Sequence, residues 1–239
     1  MRCVTDASNA DGSDSAEGSS GRRYFDQSAV AWLVGEAMRQ LHCEGKEAEL
    51  YYQRAIELLR GQKEATEIIA HIAQQLSRDE TGVRWSLLHV LGDVGHVDAV
   101  NFLMESALAQ LPEHDPKQGC QGLRDEHVLV ATMAVESLHR VARVNPDVAD
   151  GLLKIVSARP ERAVLVEAVK AAGALGLGDR LNEILHKDDH WMLEIRQSRV
   201  EELHANPERE DGKERGFQPP RGSELLTSPQ ICCCHPPRD

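Results

Sequence analysis

The most unusual chemical feature of the sequence is a run of three cysteines and a histidine, Cys232 to His235. Thiolates and imidazoles are good ligands for soft metals such as zinc. Adjacent cysteines do not readily close a tetrahedral shell, which a Cys-x-x-Cys spacing allows. The run also lies in a proline-rich segment without a second ligand cluster. We therefore interpret it as part of a tail with incidental thiols and predict no metal site there.

A second group of potential ligands lies in the segment 112–122, which contains His114, Asp115 and Cys120 and is soon followed by His127. These residue types could surround a zinc ion. An enlarged loop between two helices is more typical of a contact with a partner. We therefore predict a partner-contact loop here and no bound metal.

Motifs of catalysis and cofactor binding are missing from the sequence. It contains no His-Glu-x-x-His, no Gly-x-Ser-x-Gly, no P-loop and no Gly-x-Gly-x-x-Gly that follows a strand. Gly173, Gly176 and Gly178 are close together, but they follow a helical pattern and mark its end. We therefore predict no catalytic residue and no cofactor.

Composition bounds the class of protein. The 239 residues suit one domain with tails, and with 41% hydrophobic but only 4% aromatic residues, Ala, Leu and Val must form the core. No apolar run approaches the roughly 18 residues that span a bilayer, and the N-terminus has no apolar signal region. Six scattered cysteines do not resemble a disulfide framework. We expect a reduced, cytoplasmic protein without membrane contact.

The net charge of −12 lies almost wholly in the middle of the chain, where residues 24–204 carry about 19 basic against 29 acidic groups. Such an acidic body repels phosphate backbones, so nucleic acid is not expected as the main partner. Residues 1–23 are mostly Ser, Gly, Asp and Ala, and residues 205–239 hold six of the ten prolines. We predict that both of these segments are disordered and that residues 24–204 fold.

Helical periodicity is nearly continuous within residues 24–204, and no stretch alternates with a period of two. Gly45 and Gly61 are predicted to end the first two helices, and the last helix to run from about His190 to Leu203. The apolar positions that should form the core are Val30, Leu33, Ala37, Leu41, Tyr52, Ile56, Leu59, Ala65, Ile68, Ile69, Ile72, Leu76, Val83, Leu87, Leu91, Val94, Val100, Leu103, Ala107, Leu111, Val128, Ala131, Val135, Leu138, Val141, Leu152, Ile155, Val156, Leu165, Ala168, Ala172, Leu175, Leu181 and Leu185.

The turns between these helices share one charge pattern. A basic residue ends one helix and acids begin the next, which suits both helix dipoles, and Asp79, Asp125 and Asp188 are predicted to cap free amides. The basic residues are 46, 35 and 28 positions apart, and at an offset of 81 the stretch Leu87–Gly92 falls on Ala168–Gly173. Two units of about 40 residues fit that offset, which indicates a repeat. The four turns are Ser77–Glu80, Leu123–Glu126, Ala158–Glu161 and His186–Asp189.

The stretch Asp79–Gly95 resembles the HEAT repeat, in which an Asp precedes a Val-Arg pair, here Val83 and Arg84, and Leu-Gly ends the second helix. Tetratricopeptide repeats fit less well, because their Trp, Tyr and Pro signature is missing. The resemblance covers about residues 62–204. It implies a right-handed α-solenoid of about four helical hairpins, with an additional N-terminal helical pair.

One face of this solenoid is the predicted partner site. Trp85 and His89 lie opposite the apolar stripe of their helix, at about 160–200° from it. In HEAT-like folds the second helices line the concave surface, so the matching residues of each repeat should form a row along it. The residues predicted to bind a partner are Arg84, Trp85, His89, Thr132, Glu136 and Lys170.

The leading functional hypothesis is a non-catalytic scaffold that holds a protein or peptide against this face. The alternative is a HEAT-like enzyme or enzyme subunit of the phycobilin lyase type, which acts on a protein-bound tetrapyrrole. Other HEAT-like proteins are DNA glycosylases with a basic groove, and the acidic body argues against that kind.

Overall fold

A computed structural model describes Phe25, residues 28–113 and residues 122–195 of the chain. The regular structure in these ranges is helical, without a strand, which confirms the all-α class. The predicted tails 1–23 and 205–239, and with them Cys232 to His235, lie outside the described residues. So do His114, Asp115 and Cys120.

The helices follow one another with short turns. Shorter 3-10 segments span Val97–Ala99, Pro146–Val148 and Lys187–Glu194. The α-helices are α1 (Ala29–Leu41), α2 (Lys46–Arg60), α3 (Ala65–Gln75), α4 (Thr81–Val94), α5 (Val100–Ala107), α6 (Leu123–Val144), α7 (Asp150–Ala158), α8 (Arg162–Ala174) and α9 (Gly178–Ile184).

Three predicted helix boundaries were wrong. Helix α1 ends at Leu41, and Gly45, with a φ of 106°, directly precedes α2 instead of closing α1. Helix α4 does not end at Gly92 but continues to Val94, where Gly95 closes it in the left-handed conformation that glycine favours. His190 begins no α-helix, because Lys187–Glu194 is a 3-10 segment; residues 196–203 lie outside the described residues.

The capping prediction was also wrong in its detail. The residues at the starts of α4, α6 and the last 3-10 segment are Glu80, Gly122 and His186, not the three aspartates. Side chains cap other helices. Ser28 accepts a hydrogen bond from the amide of Ala31 at 3.0 Å, and Glu161 accepts one from the amide of Ala163 at 2.7 Å.

Long-range packing follows chain order. Helix α4 lies along α6 and α6 lies along α8, while α5 packs on α6 and α7 packs on α8. Helices α1 and α2 pair with each other and also contact α4. Most of the buried hydrophobic side chains of these helices belong to one continuous cluster.

The predicted apolar stripes account for most of this core. Leu91 and Leu138 are fully buried, as their positions in the predicted apolar stripes require. The residues predicted for the core that are only partly buried are Leu33, Leu41, Ile68, Val83, Val100, Leu111, Val128 and Leu175. Most of these lie near helix ends, where fewer neighbours cover a side chain.

The contact between α4 and α6 is unusually close at Gly92. A Cβ atom added there would come within 2.7 Å of both Cα and Cβ of Ser137. The hydroxyl of Ser137 donates a hydrogen bond of 2.7 Å to the carbonyl oxygen of Leu88. A glycine is therefore needed at position 92 because α6 passes too close to α4 for a side chain. It does not mark the end of α4.

We predict that Leu91→Ala lowers the free energy of unfolding by roughly 2–5 kcal/mol, because it empties a fully buried site. Urea unfolding followed by circular dichroism measures the change. Leu58→Ala is the matched control, since Leu58 lies on the exposed side of α2. A loss below about 0.5 kcal/mol for Leu91→Ala would contradict the core register.

Candidate partner-binding site

One face of α4 carries three residues spaced four apart, Trp85, His89 and Asp93. This spacing places them in a row along the helix. The ring of Trp85 stacks on the ring of His89, with centroids 5.4 Å apart and planes inclined by 28°. His89 Nε2 lies 3.4 Å from Oδ2 of Asp93. The row therefore runs continuously from an indole to a carboxylate.

Asp93 joins three helices at one carboxylate. The hydroxyl of Tyr52 on α2 donates to Oδ2 of Asp93 at 2.5 Å, and Nη1 of Arg140 on α6 donates to Oδ1 at 2.6 Å. The backbone carbonyl of Asp93 also accepts hydrogen bonds from Arg60, at 2.8 and 3.1 Å. Asp93 thus fixes the ends of α2, α4 and α6 relative to one another.

Arg140 connects the α4 row to α6. Its Nη atoms lie 3.3 and 3.5 Å from the ring nitrogens of His89, and Nη2 donates to the hydroxyl of Ser137 at 3.2 Å. Its Nε is buried and has no hydrogen-bond partner in the structure. The side chains of Arg140 and Asp93 are 20% and 23% exposed, so this ion pair is largely shielded from water.

The environment of Asp93 favours its charged form. Burial alone would raise the pKa of this carboxyl, but the hydrogen bonds from His89 and Tyr52 and the charge of Arg140 outweigh burial and hold the pKa at about 2. Burial and the adjacent Asp93 carboxylate raise the pKa of Tyr52. The Tyr52 hydroxyl therefore stays protonated and remains a hydrogen-bond donor.

Two of the predicted partner-binding residues come together here, and one does not. Trp85 and His89 are in contact, although Trp85 is half-buried against the core rather than fully exposed. Arg84 turns back to α3, where its Nη2 donates to the carbonyls of Leu76 and Ser77 at 3.1 and 3.3 Å. Arg84 is thereby occupied in closing the end of that helix.

The other predicted residues lie on the neighbouring helices. Glu136 is exposed on α6, one turn before Arg140 and hence on the same side of that helix. The hydroxyl of Thr132, one turn earlier, donates to the carbonyl of Leu129 at 2.9 Å. On α8, Lys170 forms an ion pair of 2.8 Å with Glu167.

Sequence reasoning missed Tyr52, Asp93 and Arg140. Tyr52 was assigned to the core, which is correct for its ring, but its hydroxyl reaches Asp93. A signal for Asp93 was available, because it lies four residues after His89 on the same helix face. No comparable signal existed for Arg140, whose role depends on which helix packs against α4.

Within the described residues, no group of three or more His, Cys, Asp or Glu residues could hold a metal ion. None of the helices in these ranges is long and apolar enough to cross a bilayer. Cys43 takes part in a disulfide bond, which differs from the reduced state expected for the cysteines.

Comparisons with known proteins found no matching family model, no matching curated protein and no matching solved structure.

We predict that Asp93→Asn removes a pH-dependent part of the stability. Because the folded pKa is about 2 and the unfolded value about 3.9, the stabilisation is present above about pH 4 and is lost as the pH falls through about 2. It corresponds to roughly 2–3 kcal/mol. Urea unfolding between pH 5 and pH 2, at roughly half-unit steps, should show a shallower loss for Asp93→Asn than for the wild type. Asp98→Asn, which changes an exposed acid, should follow the wild-type curve, and identical slopes for all three proteins would contradict the assignment.

Proposed function

We propose that the protein is a non-catalytic binding scaffold of the HEAT-like solenoid type, which holds a protein or peptide against the side of α4, α6 and α8 that carries Trp85, Glu136 and Lys170. The observation that carries the proposal is the Trp85–His89 stack beside Arg140, on the side of α4 that faces away from its apolar stripe. Tryptophan, tyrosine and arginine are the residue types in which interface binding energy concentrates.

The rigidity of this group supports a binding role. Trp85 packs partly on the core and stacks on His89, and His89 in turn contacts Arg140. Side chains that are already ordered lose little conformational entropy when a partner binds. A partner can therefore use the exposed parts of these side chains at a low entropic cost.

The order of the helices supports the repeat architecture. Helices α4, α6 and α8 lie side by side in chain order, and α5, α7 and α9 alternate with them along the sequence. In a HEAT-like arrangement the first set lines one continuous surface. Glu136 on α6 and Lys170 on α8 then extend the surface that begins at Trp85, and an elongated partner could contact all three helices.

We predict that Trp85→Ala reduces partner binding by at least tenfold and costs less in folding than Leu91→Ala. Trp85 is only partly buried, so part of its ring is open to contact by a partner. Affinity capture from a cell extract with the full-length chain as bait, quantified by mass spectrometry, measures binding, and thermal unfolding measures stability. Trp32→Ala is the matched control, because Trp32 on α1 is 57% exposed and lies outside this group.

The expected pattern is a set of proteins captured equally by the wild type and Trp32→Ala and lost with Trp85→Ala. The proposal fails if Trp85→Ala costs several kcal/mol of stability while capture is unchanged, since Trp85 would then serve only the core.

A further inference from the structure

A groove of about 510 Å³ opens where the C-terminal ends of α2, α4 and α6 meet. Its lining includes Arg60 from α2, the last turn of α4 with Gly95, and Arg140, Arg143 and Val144 from α6. The groove adjoins the row of Trp85, His89 and Asp93, because Asp93 belongs to both and Arg140, which contacts the row, also lines the groove. It is therefore a continuation of the proposed binding face.

In this groove the charge of Arg140 is paired with a carboxylate, whereas that of Arg60 is not. The carboxylate of Asp93 forms the ion pair with Arg140 and also accepts a hydrogen bond from Tyr52. Arg60 uses Nε and Nη2 on the neutral backbone carbonyl of Asp93. In the part of the chain that the structure describes, no carboxylate lies within ion-pair distance of Arg60. The exposed guanidinium of Arg60 therefore leaves a positive charge at the mouth of the groove.

An apolar surface lies beside this charge. Val144, at the end of α6, is 73% exposed, the highest exposure of any large hydrophobic side chain in the described residues. A cation and an exposed apolar side chain in the same groove match a ligand that carries both an acidic and an apolar side chain.

We propose that this groove binds a short acidic segment of a protein partner, with a carboxylate on Arg60 and an apolar side chain against Val144. The inference rests on the proposed scaffold function and names the chemistry of its partner. With Nε–H and one Nη2–H on the Asp93 carbonyl, Arg60 keeps its two Nη1 hydrogens and the second Nη2 hydrogen for a carboxylate. The charge complementarity is local, since it depends on Arg60 and its neighbours rather than on the net charge of the chain.

A nucleic acid fits the same groove less well. The chain carries a net charge of −12, and a long polyanion would meet that field over its whole length. A short peptide with a few carboxylates meets chiefly the field of the groove, because salt screens charges beyond about 8–10 Å. Acidic peptide and oligonucleotide are thus distinguishable as ligands.

Fluorescence anisotropy with the full-length chain tests the proposal. The probe is a fluorescein-labelled peptide of sequence Glu-Glu-Leu-Glu-Glu, and the comparison probe replaces every Glu with Gln. We expect the acidic probe to bind at least tenfold more tightly, and its binding to weaken as salt is raised from about 50 to 300 mM. A labelled oligothymidylate of about the same charge is expected to bind more weakly than the acidic peptide.

Charge reversal in the groove provides the matched variants. Arg60→Glu should weaken binding of the acidic probe at least tenfold, whereas Arg54→Glu, six residues earlier on α2 and outside the groove, should change it less than twofold. If Arg60→Glu lowers the thermal midpoint markedly, Arg60→Gln removes the charge while keeping a donor for the Asp93 carbonyl. Val144→Ser should weaken binding about threefold.

The same assay separates this inference from the proposed function. Trp85→Ala should leave binding of the acidic probe within about twofold, because Trp85 is not among the residues that line the groove. Equal affinity for the Gln probe, equal losses in Arg54→Glu and Arg60→Glu, or tighter binding of the oligothymidylate would each overturn the acidic-segment proposal. None of these results would change the test of the scaffold proposal, which is the loss of partner capture in Trp85→Ala.

Discussion

Helices α4 and α6 approach so closely at Gly92 that no side chain fits between them. A Cβ on Gly92 would lie 2.7 Å from Ser137, whose hydroxyl instead bonds to the carbonyl of Leu88. Arg140 follows Ser137 by three residues and Asp93 follows Gly92 by one. The close approach therefore brings this guanidinium and this carboxylate to 2.6 Å. The polar cluster of Tyr52, His89, Asp93 and Arg140 depends on this contact between the two backbones.

The same contact explains why the cluster is rigid. An ion pair that is four-fifths shielded from water is costly to break, because one partner would be left charged without compensation. Tyr52 and Arg60 add bonds from α2 to the same residue, Asp93. One aspartate thus holds three helix ends together. Asp93 and Arg140 also contact His89 and so hold the Trp85–His89 stack in place. A surface fixed in this way is suited to recognition, since its geometry is set before a partner arrives.

The sequence predicted the features that depend on local periodicity, which are the helices and most positions of the core. Positions such as Leu91 and Leu138 were assigned to the core because an apolar stripe at helical spacing must be buried. Glycines were harder, since Gly45 starts a helix, Gly92 lies within one and Gly95 ends one, and only the three-dimensional neighbours distinguish these roles. The pairing of Arg140 with Asp93, 47 residues away, depends on which helices pack together. Spacing along one helix placed Trp85 near His89 but could not supply their partners from α2 and α6.

The most direct test of this account is the free energy of unfolding of two glycine variants in the same helix. At Gly92 a methyl group meets Ser137 in α6, whereas at Gly82 it meets no atom within 4 Å. We expect Gly92→Ala to destabilise the protein by about 1–3 kcal/mol through overpacking. Gly82→Ala should stabilise it by up to about 1 kcal/mol, because alanine loses less backbone entropy in a helix. Equal stabilisation by both substitutions would contradict the account, since α4 and α6 would then not be held at the distance on which the cluster depends.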